Sequence, residues 1–221
     1  MQGVIILKKI IAINASPRKT WNTASLVKTA AEGAMEACAE VEMFDLYDIG
    51  KYSGCISCFG CKTEKHYGEC VCNDALKPIL DKIRTADGLI LGTPNYLGEA
   101  TAMFRAFYER LIFQYITYNK ERPSSNDRRI PVLFIMTSNA GDMAYEPGGF
   151  YRNLVDNYQS TLSRIIGDAE VLIAADTKQV NDYSRYDWTL FDGEGKTQRH
   201  EVLFPQRLAE AKAAGRRMAE K

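Results

Sequence analysis

Short apolar runs alternate along this chain with segments in which apolar residues recur every three to four positions. The runs are typical of buried strands and the periodic segments of amphipathic helices. The predicted strands are Lys8–Asn14, Val41–Leu46, Gly88–Thr93, Ile130–Thr137 and Ala169–Ala175. The predicted helices are Asn22–Cys38, Asp74–Thr85, a segment containing Met103–Ile116, Tyr151–Gly167 and a last helix that opens at Pro205 and ends near Ala219.

This alternation predicts an α/β fold in which a doubly wound, five-stranded parallel sheet of order 2-1-3-4-5 carries helices on both faces. The ligand crevice of such a sheet lies outside the carboxyl ends of its strands. Three loops are therefore expected to meet there, namely Ser16–Thr23, Thr93–Gly98 and Ser138–Gly149.

Two segments depart from the strand and helix pattern. The first is a cysteine-rich loop at Gly50–Asn73. The second, Asp176–Phe204, is polar and aromatic without a clear period, and we predict an irregular arm that acts as a lid, a subunit arm or a mobile tail. All 221 residues are predicted to form a single domain that includes both segments.

The residues after the first strand read N-A-S-P-R-K-T-W-N-T. A helix that starts here would offer unpaired N–H groups and the positive end of its dipole to an anion. Ser16, Thr20, Asn22 and Thr23 can donate to phosphate oxygens, and Arg18 can add a charge-assisted contact. Asn22 also suits an N-cap, so the stretch fits either a phosphate site or an ordinary capped turn. The Gly-rich dinucleotide and P-loop fingerprints are absent.

Five of the six cysteines fall between Cys55 and Cys72. The first three form C-x-x-C-x-x-C, a spacing that lets one loop wrap a [4Fe–4S] cluster, and Cys70 or Cys72 can add a fourth ligand. We take Cys55, Cys58, Cys61 and Cys70 as the candidate metal ligands. Zinc would accept the same sulfurs, and reduced or redox-active thiols would give the same pattern.

Composition narrows the classes of partner. The formal net charge is zero, which gives no electrostatic footprint for nucleic acid or an anionic membrane. The apolar start, Val4–Ile13, is interrupted by two lysines and has neither the length of a membrane span nor the flanks of a signal peptide. Together with the clustered cysteines, this indicates a cytoplasmic protein whose thiols are reduced or bound to metal.

The motifs S-P-R-K-T-W-N-T, T-P-N-Y-L-G and G-C-I-S-C-F-G-C-K with a following G-E-C together resemble the NAD(P)H-dependent FMN reductase family, and within it the iron-sulfur flavoprotein branch. The resemblance implies a flavodoxin-like fold and usually a homodimer or homotetramer with the flavin at a subunit interface. It implies that an FMN phosphate is held by Ser16, Arg18, Asn22 and Thr23 and that the flavin ring lies near Pro94, Asn95, Tyr96 and Gly98. Ser138, at the start of the third loop, completes the expected site.

The expected function is an FMN-dependent oxidoreductase. It would pass electrons from NAD(P)H or a reduced, ferredoxin-like carrier to a flavin, quinone or similar small acceptor. No catalytic acid or base is expected, because a flavin supplies the difficult chemistry itself. The alternatives are an iron-sulfur flavoprotein electron carrier, a redox-sensing flavin-binding protein with little turnover, and a phosphate-binding module without flavin.

Overall fold

A computed structural model describes residues 7–220 of the chain, so the first part of the apolar start, residues 4–6, lies outside the described residues. The strands are β1 (Lys9–Asn14), β2 (Glu40–Asp45), β3 (Gly88–Tyr96), β4 (Glu99–Ala100), β5 (Val132–Thr137) and β6 (Ala169–Ala174). The helices are α1 (Asn22–Glu36), α2 (Lys77–Ile83), α3 (Ala102–Phe113), α4 (Arg152–Ile165) and α5 (Gly193–Glu220). Within the described residues, no helix is long and apolar enough to cross a membrane.

The five long strands form one parallel sheet of order β2-β1-β3-β5-β6, while the two-residue β4 pairs antiparallel with the end of β3. The predicted order 2-1-3-4-5 is therefore confirmed, because β4 adds only a short hairpin. Successive residues of β1 face opposite sides. Ile11 and Ile13 join the core that also contains residues of α2, α3 and α4, whereas Ile10 and Ala12 join the core beneath α1 and α5.

The aromatic face of α3 lies in the first of these cores. Phe104, Phe107 and Leu111 are completely buried there, and the Phe104 ring packs 5.7 Å from that of Phe134 on β5. These residues stabilise the domain by covering the sheet.

The central strand β3 extends beyond the predicted end at Thr93. It continues to Tyr96 and turns back into β4 through Leu97 and Gly98, whose φ angles are 56° and 82°. Two central residues with positive φ define a type I′ hairpin, which matches the twist of the paired strands. Gly98 takes this conformation without steric cost, whereas Leu97 does not.

The prediction of an irregular arm up to Phe204 is wrong, because α5 begins at Gly193 and Pro205 lies inside it. A proline removes one intrahelical hydrogen bond, so a helix boundary is the usual expectation. Tertiary contacts outweigh that loss here. The Lys196 ammonium is buried, forms an ion pair with Asp176 and donates to the Asn139 carbonyl (3.2 Å), which fixes the first turn of α5 against the sheet edge.

Candidate functional site

The three predicted loops converge at the carboxyl edge of the sheet, where they enclose an open cavity of about 630 Å³ that we call the carboxyl-edge pocket. A buried bond between the Thr23 and Thr137 hydroxyls (2.7 Å) ties the first loop to β5. Of the predicted site residues, those that line the pocket are Ser16, Arg18, Asn22, Thr23, Pro94, Asn95, Tyr96 and Ser138. Thr20 is exposed and does not line it, and Gly98 shapes the hairpin behind it.

Local hydrogen bonds fix the conformation of the first loop. The Asn14 side-chain oxygen accepts from the Ser16 N–H (3.1 Å), and the Ser16 hydroxyl accepts from the Arg18 N–H (3.1 Å). Trp21, at the N-cap of α1, makes no side-chain capping bond. The prediction that Asn22 is the N-cap is therefore wrong. Because the first N–H groups of a helix have no partner inside it, the start of α1 can receive an anion.

Arg18 is oriented by its neighbours. Its guanidinium lies over the Trp21 ring at 4.0 Å and donates through Nη1 to the Gln179 carbonyl (2.6 Å). A guanidinium has five N–H donors, so this bond leaves others for a phosphate. The sequence resemblance identified Arg18, but Trp21 was missed.

The second loop is built around Asn95. Its side-chain amide donates to the Tyr145 hydroxyl (2.8 Å), and its side-chain oxygen accepts from the Gly98 N–H (2.9 Å). Burial raises the pKa of Tyr145 and that of the half-exposed Tyr96, so both phenols stay protonated near neutral pH. Tyr96 therefore offers a neutral aromatic surface at the rim of the pocket.

A fourth segment, at the start of the arm predicted at Asp176–Phe204, completes the wall. Thr177, Lys178 and Gln179 follow β6 and line the same pocket. Two side-chain oxygens in this wall, Asn139 Oδ1 and Gln179 Oε1, are buried and have no hydrogen-bond partner among the described residues. An unpaired buried acceptor costs about 1 to 3 kcal/mol.

The five clustered cysteines surround a second, much smaller cavity, which we call the cysteine pocket. It lies against the end of α3 and is lined by Cys55, Cys58, Cys61, Cys70 and Cys72. Arg110 reaches into it with a side chain that is only 1% exposed. The guanidinium donates to Cys70 Sγ (3.3 Å), to the Cys72 carbonyl (2.9 Å) and to Asp74 (2.6 Å).

The cysteine pocket does not have the arrangement of a metal site. Its volume of about 20 Å³ suits a single water molecule. Burial raises the pKa of the Cys61 and Cys72 thiols, which favours their neutral form. Among residues 7–220, no group of three or more Cys, His, Asp or Glu side chains is placed to hold a metal ion. As placed, the predicted ligands Cys55, Cys58, Cys61 and Cys70 therefore do not fit a [4Fe–4S] cluster.

The strand order and the pocket at the switch point between β1 and β3 define a flavodoxin-like α/β protein. Similar solved folds include the NAD(P)H:quinone oxidoreductase of Methanothermobacter marburgensis, with a TM-score of 0.70, 15% identity and coverage of 96% of this chain and 98% of that one. An azoreductase of Bacillus anthracis gives a TM-score of 0.69 at 13% identity, with coverage of 96% and 100%. These likenesses concern the fold alone.

Residues 8–145 match the model of the NADPH-dependent FMN reductase family, and the chain belongs to that family. Its curated sequence relatives are iron-sulfur flavoproteins. One from Methanocaldococcus jannaschii is 38% identical over 102 residues, which are 46% of this chain and 51% of the relative. Another, from Methanosarcina thermophila, is 31% identical over 104 residues, with coverage of 47% and 52%. The chain thus spans about half the length of the curated relatives it matches.

Proposed function

We propose that this chain, as one flavin-binding domain in the cytoplasm, binds FMN in the carboxyl-edge pocket and works as an oxidoreductase. The electron donor would be NAD(P)H or a ferredoxin-like carrier, and the acceptor a flavin, a quinone or a similar small molecule. The proposal includes assembly into a homodimer or homotetramer. FMN, when bound, supplies hydride transfer and single-electron transfer.

One observation carries the proposal. The chain belongs to the FMN reductase family, and three of its βα loops enclose a cavity of about 630 Å³ at the switch point of the sheet. This volume is typical of small-molecule sites. The pocket has an anion-binding end at the start of α1, where Arg18 adds a positive charge. The phosphate of FMN matches that end of the pocket.

The chain's own groups would divide the work of binding. The start of α1, with Ser16 and Thr23 hydroxyls and the Arg18 guanidinium, would hold the phosphate. Pro94 and Tyr96 would provide a flat apolar surface for the flavin ring, while the bonded Asn95 keeps that loop rigid. Positioning of this kind, rather than proton transfer by a side chain, is the role we assign to the protein.

The first test is an absorbance spectrum of the purified chain, followed by NAD(P)H oxidation with a quinone acceptor. We expect bound flavin and sustained turnover. Arg18→Ala should weaken FMN binding about tenfold or more, because a charge-assisted contact to phosphate is lost. The exposed Arg122, far along the chain in the Asn119–Arg129 loop, gives the matched control Arg122→Ala. Reduction that stops after one equivalent would instead support a carrier, and the absence of any flavin binding would refute the proposal.

The cysteine pocket supports a second candidate, an iron-sulfur flavoprotein electron carrier. In its favour, five cysteines line one cavity and the curated relatives are named iron-sulfur flavoproteins. Against it, the sulfurs as placed do not form a metal site. Iron, zinc and sulfide analysis of anaerobically purified protein separates the cases. Stoichiometric iron and sulfide would establish a cluster, zinc a structural site, and neither would leave thiols.

A further inference from the structure

Two of the five clustered thiols, Cys61 and Cys70, are held at the same end of α3. The Cys70 N–H donates to the Gln114 side-chain oxygen (3.1 Å), and the Lys62 ammonium, next to Cys61, donates to the Gln114 carbonyl (3.3 Å). The Cys61 carbonyl accepts from the Gly68 N–H (3.0 Å), which folds the chain between the two cysteines into a turn. Both cysteines line the cysteine pocket. They therefore border one small cavity although eight residues separate them in the sequence.

The two thiols differ in their exposure to solvent. Cys61 is buried, with 7% of its surface exposed, whereas Cys70 is partly exposed. Burial raises the pKa of the Cys61 thiol, Lys62 lowers it, and the charge of Cys70 raises it again. The pair thus combines a thiol that a small solute can reach with a protected thiol behind it.

Arg110 supports Cys70 with a charged donor. Its Nε–H donates to Cys70 Sγ (3.3 Å), while Asp74 and the Cys72 carbonyl hold the rest of the guanidinium. The Arg110 side chain is only 1% exposed, so little water competes for its N–H groups. A hydrogen bond from a charged donor stabilises a thiolate, which is the form of cysteine that attacks a disulfide. Cys70 is therefore the better nucleophile of the two.

Because these sulfurs as placed do not form a metal site, we propose that Cys61 and Cys70 are a thiol–disulfide redox pair that reacts with a small, soluble disulfide. Cys70 attacks one sulfur of that disulfide, which forms a mixed disulfide on Cys70 and releases the first small thiol. Cys61 then attacks Cys70 Sγ, so that a Cys61–Cys70 bond forms and the second small thiol leaves. Two electrons pass from the protein pair to the small disulfide, and the two thiol protons leave with the two products.

This pair is a redox site separate from the proposed flavin site. The cysteine pocket and the carboxyl-edge pocket share no lining residue, so the exchange does not require bound flavin. Disulfides that form in the cytoplasm are usually transient and serve catalysis or redox sensing. A reversible bond of that kind is what two thiols of unequal exposure can form.

The test uses the full chain, purified without oxygen, with glutathione disulfide as the probe. Free thiols are counted before and after incubation, and peptide mass analysis locates the new bond. We expect a Cys61–Cys70 bond to form, with the loss of two thiols from the cysteine pocket, and dithiothreitol to reverse it. Trypsin cuts after Lys62 and Lys65, so this bond joins two separate peptides.

Two single variants separate the roles of the two thiols. Cys61→Ser should trap the mixed disulfide on Cys70, because the second attack is lost, and the modified peptide should gain the mass of one glutathione. Cys70→Ser should lose both the mixed disulfide and the cross-link. Cys38 is exposed and lies outside the cysteine pocket, so Cys38→Ser is the matched control and should form the same cross-link as wild type.

A third variant tests the charged donor. The double variant Asp74→Asn, Arg110→Met removes the guanidinium without leaving a buried carboxylate unpaired. It should slow the first attack about threefold or more, since the thiolate loses its charged partner. If this variant does not show the near-UV spectrum of wild type, the trapping in Cys61→Ser decides alone.

The inference is overturned if folded wild-type protein keeps the thiols of the cysteine pocket free in glutathione disulfide. It is also overturned if Cys61→Ser traps glutathione on the exposed Cys58 instead of Cys70, or if stoichiometric iron and sulfide occupy the thiols. Flavin content is measured on the same samples. Its absence would refute the proposed function and leave this inference standing, since thiol exchange needs no flavin.

Discussion

Two arginine–aspartate pairs in this protein have the same N–O distance of 2.6 Å but very different surroundings. The Arg110 and Asp74 side chains are 1% and 17% exposed, whereas those of Arg122 and Asp127 are 50% and 78% exposed. Removing one partner of a buried pair leaves an uncompensated charge and costs about 3 to 5 kcal/mol, whereas an exposed pair contributes about 0 to 1 kcal/mol. We therefore predict that Asp74→Asn destabilises the fold by about 3 kcal/mol and Asp127→Asn by less than 1 kcal/mol.

Urea denaturation measures this difference. An unchanged dependence of the unfolding free energy on urea concentration would show that the variants differ from wild type in stability alone. At a slope of about 2 to 3 kcal/mol/M, the Asp74→Asn midpoint should fall by about 1 M urea. The double variant Asp74→Asn, Arg110→Met should recover about 1 kcal/mol or more of that loss, since it also removes the uncompensated buried charge that Asp74→Asn leaves on Arg110. Equal midpoints for Asp74→Asn and Asp127→Asn would refute the reasoning.

The same pair sets an acid limit on stability. Burial alone would raise the pKa of Asp74, but the Arg110 guanidinium and the Leu76 and Ser53 N–H groups outweigh it, so the pKa is lowered overall. A carboxyl group whose pKa is lower in the folded state than in the unfolded state stabilises the fold. The stabilisation is complete at pH values above the unfolded pKa of about 3.9, and it is lost as the pH falls through the folded-state pKa. We expect Asp74→Asn to remove this part of the acid sensitivity below about pH 4.

Four further variants test the packing and the second titratable group. Gly215→Ala should lower the free energy of unfolding by about 2 kcal/mol or more, because a Cβ there would lie 1.8 Å from the Ala30 carbonyl oxygen of α1. Gly141→Ala is the control and should be nearly neutral, since no atom lies within 4 Å of its Cβ position. Thermal or urea unfolding measures both. Pro205→Ala should raise the free energy of unfolding by about 2 kcal/mol, since it restores a helical N–H at an exposed position, and an unchanged value would contradict that account. Burial, with Lys178 nearby, lowers the pKa of His200, so the free energy of unfolding should decline as the pH falls below about 6.5, and His200→Gln should flatten that decline.

Local pattern was sufficient to predict the sheet and most of the carboxyl-edge pocket. Each βα loop follows a strand that is apolar on both faces, and the strand order alone brings the three loops to one edge. The side chains that line the pocket from the first two loops are therefore visible as motifs. Thr20 and Gly98 were predicted but do not line the pocket, and Trp21 lines it but was missed. A side chain in a turn can face either way, and the sequence does not fix which.

Arg110 was missed for a different reason. It is a single charge on the apolar face of α3, three residues after Phe107 and next to Leu111. The helical periodicity of that face predicts apolar packing and gives Arg110 no separate role. A lone arginine on such a face is itself a signal, because burial requires a partner for its charge. The sequence did not show that the partners would be Asp74 and the backbone around Cys70 and Cys72, since those contacts depend on the path of an irregular loop.

The anchoring of residues 176–179 to the third loop and the early start of α5 were missed together, and the two misses have one cause. Pro205 suggests a helix boundary, and that placed Lys196 in an irregular arm where its charge needs no partner. In the structure Lys196 lies in the first turn of α5, buried, and its ammonium joins Asp176 to the third loop. That anchor is what holds the Lys178 and Gln179 carbonyls against the first loop. Backbone acceptors have no sequence signature, so the fourth wall becomes predictable only once the helix is known to begin at Gly193.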